Sequence, residues 1–316
     1  MVRRYRILNV KNQCIGKSFA MYNGDCVEVL KGIPDNSIHG MGFSPPFASL
    51  YTYSASERDM GNARTNDEFM QNFKFAVSEL YRTLMPGRIL WCHCMDIPAM
   101  KERDGFIGLK DFPGELIRLF ENAGFIYHSR VVIWKDPLTE ATRTKALGLM
   151  HKQIVKDSSM CRQGLPDYLI VMRKPGDNPE PVAHKNGFES YIGEDKPAGK
   201  TVFSHEVWRR YASPVWMDIR QSRTLNREPA REEKDEKHIC PLQLDVIDRA
   251  LELWTNPGDT FLSPFAGVGS EVREAVAMGR NGIGIELKGS YYNQAVLNCK
   301  QAELECEQPS LFEVAP

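Results

Sequence analysis

The segment that most constrains this 316-residue chain lies near its carboxyl end, where residues 259–287 read DTFLSPFAGVGSEVREAVAMGRNGIGIEL. An apolar run over 259–264 has the length and make-up of a strand, a helical pattern follows over 270–278, and a second strand runs over 282–286. Two strands joined by a helix form a β-α-β unit, which belongs in a parallel sheet. Between the first strand and the helix lie Phe265, Ala266, Gly267, Val268, Gly269 and Ser270. Glycine lets a backbone approach a ligand closely, and Glu286, ending the second strand, can accept hydrogen bonds from ribose hydroxyls. A dinucleotide turn is spelled G-x-G-x-x-G, whereas Gly267 and Gly269 are followed by Ser270, Glu271 and Val272. The turn therefore suits a mononucleoside.

The rest of the chain repeats the alternation. Strands are expected over 37–43, 88–94, 129–134 and 167–172, and helices over 67–84, 114–123, 242–255 and 290–305. The helix over 67–84 carries apolar residues at 69, 73, 76, 77, 80, 81 and 84 and is read as closed by Pro86-Gly87. Residues 48–66 are polar and read as a loop. The fold class is α/β, Rossmann-like, with a mostly parallel sheet. Residues 175–237, rich in Pro, Gly, Asn and charge, break the pattern and read as an insertion rather than more sheet, which divides the chain into 1–174, 175–237 and 238–316. With 42% apolar residues the chain has enough material for a sizeable core. It contains no run of about eighteen apolar residues, so it is expected to be soluble, cytoplasmic and free of membrane contact.

Four residues after the strand over 37–43 carry the sharpest chemical signal: Ser44, Pro45, Pro46 and Phe47. Two prolines stiffen the backbone. Held so, the Ser44 hydroxyl and a main-chain carbonyl, that of Pro45, can accept the two hydrogens of a base amino group. Those bonds draw the nitrogen lone pair out of conjugation and aim it at a methyl group on a sulfonium, as in S-adenosylmethionine, the mononucleoside that suits the glycine turn. Phe47 offers a face on which an extruded base can stack. No strong general base is needed, because the amine turns cationic on methylation and then gives up its proton.

Metal chemistry is not expected. The eight cysteines match neither a disulfide framework nor a paired zinc motif. Cys92, His93 and Cys94 lie in a strand pattern, where alternate residues face opposite ways and cannot converge on one ion, so they read as core packing. The formal net charge of -1 excludes a uniformly basic surface, yet positive charge is concentrated. Residues 141–174 hold seven Lys and Arg against two acids, and residues 200–227 hold six against two. Tyr191, Trp208, Tyr211 and Trp216 lie among or beside these charges, a mixture that suits phosphate contact with base stacking. Trp208, Arg209, Arg210, Arg220 and Arg223 are the candidates for DNA contact, as are Tyr51, Tyr53 and Arg58 in the loop after Phe47.

SPPF placed ahead of FAGVG resembles the β group of exocyclic-amino DNA methyltransferases, whose catalytic motif precedes the cofactor motif; the resemblance covers nearly the whole chain. It implies a permuted S-adenosylmethionine-dependent methyltransferase acting on double-stranded DNA, with Ser44 to Phe47 as catalytic loop and residues 175–237 as target-recognition region. By the same resemblance Phe265, Gly267, Gly269 and Ser270 form the cofactor turn, Asp25 in Asn23-Gly24-Asp25 contacts the cofactor, and Glu286 binds its ribose. His238 and Gln243 stand where the family has a helix-entry motif spelled H-P-x-x-K-P, from which HICPLQ departs. A homodimer is implied too. The serine of SPPF is associated in the family with N4 of cytosine, but residues 48–62 resemble solitary phage and chromosomal enzymes that pair SPPF with N6 of adenine, which is the base expected here. Protein and RNA methyltransferases with Asn-Pro-Pro-Tyr place the cofactor motif first, and C5-cytosine enzymes need a Pro-Cys pair that the chain lacks. A catalytically silent DNA-binding protein on the same scaffold is the remaining alternative.

Overall fold

Parallel pairing between segments from opposite ends of the chain organises the structure. The computed structural model describes residues 9–46, 59–63, 65–99, 101–184, 205–226, 228–230 and 241–307. Strands β1 (Asn12–Ile15) and β2 (Phe19–Asn23) lead through α1 (Cys26–Lys31) to β3 (Ile38–Phe43), and α2 (Asn66–Thr83) leads to β4 (Leu84–Cys94). A small ribbon of β5 (Ile97–Ala99) and β6 (Gly108–Lys110) encloses α3 (Lys101–Asp104). Then come α4 (Phe112–Asn122), β7 (Ile126–Ile133), α5 (Pro137–Thr144), α6 (His151–Lys156) and β8 (Asp167–Arg173). The last third holds α7 (His205–Ala212), β9 (Val215–Trp216), α8 (Leu244–Trp254), β10 (Thr260–Ser263), α9 (Ser270–Ala277), β11 (Asn281–Glu286) and α10 (Gly289–Glu307).

Nine of these strands form one sheet in the order β1-β2-β11-β10-β3-β4-β8-β7-β9. From β2 to β4 all neighbours are parallel, while β8 runs antiparallel to both β4 and β7. Helices cover both faces. On one, α1, α2 and α4 bury Leu30, Phe73, Leu80 and Phe120 against Met41, Leu90 and Cys92 of the sheet; on the other, α8 buries Ile247 and Leu251 against Trp91 and Phe261. Period-two alternation along β4 sends Leu90, Cys92 and Cys94 to the first face and Trp91 to the second. A parallel sheet buried on both faces is what the apolar strand runs require.

Local sequence explains the element ends. Helix α2 starts at Thr65, whose hydroxyl accepts from the Glu68 amide at 3.1 Å, and its first turn holds Asp67 and Glu68. Pro86-Gly87 does not close α2 as the sequence suggests. The helix stops at Thr83 and the chain turns directly into β4, so both residues lie within the strand, where Gly87 takes φ +72°.

The reading of residues 175–237 as an insertion apart from the sheet needs a correction as well. β9 adds to the sheet edge in parallel with β7, pairing Val132 with Val215 and Ile133 with Trp216. Trp216, taken from sequence as a stacking residue, is 1% exposed and packs with Ile219 and α8 in the core. A two-residue strand is too short to show any alternation, so nothing local announces it. Among the described residues no helix is long and apolar enough to cross a membrane.

Candidate active site

Sheet order determines the site. Because β10 pairs with β3, matching Leu262 to Met41, the carboxyl ends of both strands emerge side by side, and those of β11 and β2 follow next to them. Ligands of open α/β sheets bind at such carboxyl ends. Here that edge assembles Asp25 after β2, Glu286 at the end of β11, the glycine turn after β10 and Ser44 after β3.

The two glycines of the turn share a left-handed backbone but face different surroundings. Gly269 (φ +86°) precedes α9, and a Cβ there would sit 2.9 Å from Ala295 Cβ on α10. Among the described residues nothing lies within 4 Å of a Cβ built at Gly267 (φ +53°). The turn is tied to Glu286, whose Oε2 accepts from the Gly267 amide at 2.9 Å and whose Oε1 accepts from the Lys288 amide at 2.8 Å. Burial pushes the Glu286 carboxyl up to about 7, although these amide bonds pull the other way. Asn23 donates through Nδ2 to the Glu286 carbonyl at 2.8 Å, and Asp25 caps α1 by accepting from the Glu28 amide at 3.1 Å. Ser270 is buried in the first turn of α9, and Phe265 packs its ring 5.6 Å from that of Phe43.

Ser263 Oγ at the end of β10 and Ser290 Oγ in the first turn of α10 are buried with no hydrogen-bond partner among the described residues. Buried hydroxyls without partners, a carboxylate at a strand end and an open glycine turn together fit a bound nucleoside. Gln243 stands just before α8, donates to Gln221 Oε1 at 3.1 Å and keeps a buried Oε1 that has no hydrogen-bond partner among the described residues. Phe47, Tyr51, Tyr53, Arg58 and His238, all singled out from sequence, lie outside the described residues, as does Tyr191.

At the Ser44 end the sequence reading missed a neighbour. Ser44 is half-buried, Pro45 is buried, and Ser44 Oγ lies 2.9 Å from His93 Nδ1. The β3–β4 register pairs Phe43 with Cys92, so the next residue on each strand brings Ser44 beside His93. Cys92 and Cys94 do pack in the core, but His93 belongs to the other face. Its Nε2 is 3.2 Å from Asp167 Oδ2, within ion-pair reach but outside hydrogen-bond geometry, and Asp167 Oδ1 accepts from Lys135 Nζ at 2.5 Å. Burial alone would raise the Asp167 carboxyl; the neighbouring His93 ring and Lys135 outweigh it and hold the group below its ordinary value. The only sequence signal for this partnership was a polar residue amid an apolar strand.

The residues expected at DNA divide into two sets. Trp208 and Arg209 are exposed on α7, with Arg210 partly so. Arg220, by contrast, holds Asp245 of α8 with Nε and Nη2 at 2.9 and 2.6 Å, and Arg223 bonds Asp245 at 2.8 Å and also Asp248. Although burial opposes it, these arginines draw the Asp245 carboxyl down to about 2. Tyr211 donates to Glu252 at 2.6 Å, and Arg249 stacks 4.8 Å over the buried Trp216 ring. Part of the basic stretch therefore fastens its own segment to α8.

A family model described as DNA methylase, of the N6/N4 type, matches residues 38–297. The Type II methyltransferase M.MjaI of Methanocaldococcus jannaschii is 24% identical over 281 residues, covering 82% of this chain and 84% of that protein. M.BglII of Bacillus subtilis, also a Type II methyltransferase, is 26% identical over 285 residues, 87% of this chain and 67% of that protein. A Thermus thermophilus protein given the name DNA modification methylase, solved with S-adenosyl-L-methionine, shares the fold with a TM-score of 0.60 at 20% identity, covering 89% of this chain and 95% of that one. The family match begins at β3 and runs through both loops into α10, and on that footing the chain belongs to the N6/N4 DNA methylase family and is an S-adenosylmethionine-dependent DNA methyltransferase.

Proposed function

We propose that this enzyme methylates the exocyclic amino group of a base extruded from double-stranded DNA, N6 of adenine. The observation that carries the reading is the meeting of the two loops, with Ser44 leaving β3 beside the turn at Phe265 and the Phe43 and Phe265 rings in contact. When bound, S-adenosylmethionine supplies a methyl group on a positively charged sulfur, which the amino nitrogen takes while the electrons of the broken bond stay on sulfur. Glu286 and Asp25 hold the nucleoside and orient it, and the open backbone at Gly267 admits it. Ser44 Oγ and the Pro45 carbonyl accept the amino hydrogens, fixing the direction of the nitrogen lone pair; the nitrogen then releases one proton. Phe47 stacks on the extruded base, since the amino group cannot reach Ser44 from within a duplex. Trp208, Arg209 and Arg210 meet DNA, together with Tyr51, Tyr53 and Arg58. The enzyme acts as a homodimer, which sedimentation equilibrium tests.

Adenine is supported by the likeness of residues 48–62 to solitary enzymes with SPPF. The second reading, N4 of cytosine, is favoured by the serine itself. Incubation of plasmid DNA with labelled cofactor, followed by hydrolysis and nucleoside mass analysis, separates them: N6-methyladenine is the expected product, and N4-methylcytosine alone overturns the choice of base. Bound cofactor with no methyl incorporation supports the silent scaffold.

A further inference from the structure

We propose that His93 is a positioning residue for methyl transfer, holding the Ser44 hydroxyl through Nδ1 so that the lone pairs of its oxygen face the base amino group. The inference rests on Ser44 being the acceptor of that group. A serine hydroxyl has one hydrogen and two lone pairs, and its hydrogen turns freely unless something claims it. At 2.9 Å, His93 Nδ1 claims it or is claimed by it. If Nδ1 is bare, Ser44 donates to it and both lone pairs remain for the amine. If Nδ1 carries a hydrogen, Ser44 must accept, and its own hydrogen then points toward an amino group that offers only hydrogens.

Asp167 decides between these states. Its carboxylate stands 3.2 Å from His93 Nε2 and favours the imidazole hydrogen on that nitrogen, which leaves Nδ1 bare. Lys135 holds the other Asp167 oxygen, so the carboxylate is anchored on one side and aimed at the ring on the other. His93 and Asp167 are 8% and 4% exposed, which keeps water from competing for either contact. The charged groups facing the ring are Asp167 from β8 and, behind it, Lys135 after β7; from the end of β3 it meets neutral Ser44. A hydrogen on Nδ1 would undo the arrangement, which is why the Asp167 carboxylate on the far side of the ring matters.

The test is single-turnover methyl transfer for the wild type, H93A, H93N and S44A, with cofactor affinity measured separately by calorimetry. Loss of one oriented hydrogen bond slows H93A about 10- to 100-fold while cofactor affinity stays at the wild-type level. Asparagine places an amide acceptor near the position of Nδ1, so H93N recovers most of the rate that H93A loses. An H93A rate equal to the wild type overturns the proposal, and so does an H93N rate as low as that of H93A. If H93A does not fold, H93L, which keeps bulk in place of the ring and offers no acceptor, stands in for it beside H93N. Wild-type turnover by S44A overturns the acceptor role of Ser44 and this inference with it, whereas a slow S44A beside unaffected His93 variants overturns only the inference.

Discussion

Gly267 and Gly269 show how two residues of one motif can be required for unrelated reasons. Alanine at either position must adopt a left-handed backbone, at about 1–2 kcal/mol. At Gly269 the new methyl also meets Ala295 at 2.9 Å, which holds α9 against α10. Overpacking of that kind adds about 1–3 kcal/mol. G269A is therefore expected to lose more stability in urea denaturation than G267A, where the methyl enters open space. G267A instead places the methyl on the ligand side, and calorimetry should show weakened cofactor binding beyond its stability loss.

Glu271 is a second residue-scale case. Burial pushes its carboxyl up to about 8 from an ordinary 4.5, with the nearby Glu286 carboxylate adding to the rise. A proton that the folded state keeps and the unfolded state has released means stability that is full below 4.5 and declines as pH rises toward 8. Replacing Glu271 with Gln removes one such proton, so thermal unfolding of the ligand-free protein at pH 5 and pH 8.5 should show a smaller decline in E271Q than in the wild type.

At the scale of elements, the segment around β9 is held by packing rather than by its own propensity. Trp216 fills the space between the sheet edge and α8, under the Arg249 guanidinium. Truncating a buried tryptophan to alanine costs about 3–5 kcal/mol, and W216A should lose that much in a denaturant titration. Arg220 and Arg209 make a useful pair. The exposed Arg220–Asp245 ion pair is worth at most about 1 kcal/mol, and its guanidinium is already engaged, so R220A should change DNA affinity little. Arg209 is exposed on α7; R209A should weaken DNA binding across sequences and lower the salt dependence by about one ion. Equal effects of the two substitutions would remove the distinction. The body of helix α2 was legible because its apolar spacing is local, although its carboxyl end was not, whereas β1, β2 and β9 were missed, being short and read only through the strands they join.

For the whole molecule, the decisive fact is the neighbourhood of β10 and β3, which closes two ends of the sequence into one sheet. The glycine turn after β10, Glu286 and the Ser-Pro-Pro loop could be read from the chain alone as candidates, because each depends on residue types at short spacing and on the strand or helix that those residues form by themselves. That the motifs work together followed only from their likeness to a known order. The partners of Ser44 and of the arginines were decided elsewhere. His93 reaches Ser44 through the register of β3 on β4, Asp167 reaches His93 through β8, and Arg220 and Arg223 reach α8 across the sheet edge. Such contacts join residues far apart in sequence, and a shift of one residue in register would turn every side chain of the strand to the opposite face. The chain by itself therefore determined which chemistry is present, and the tertiary structure decided which groups stand close enough to tune it.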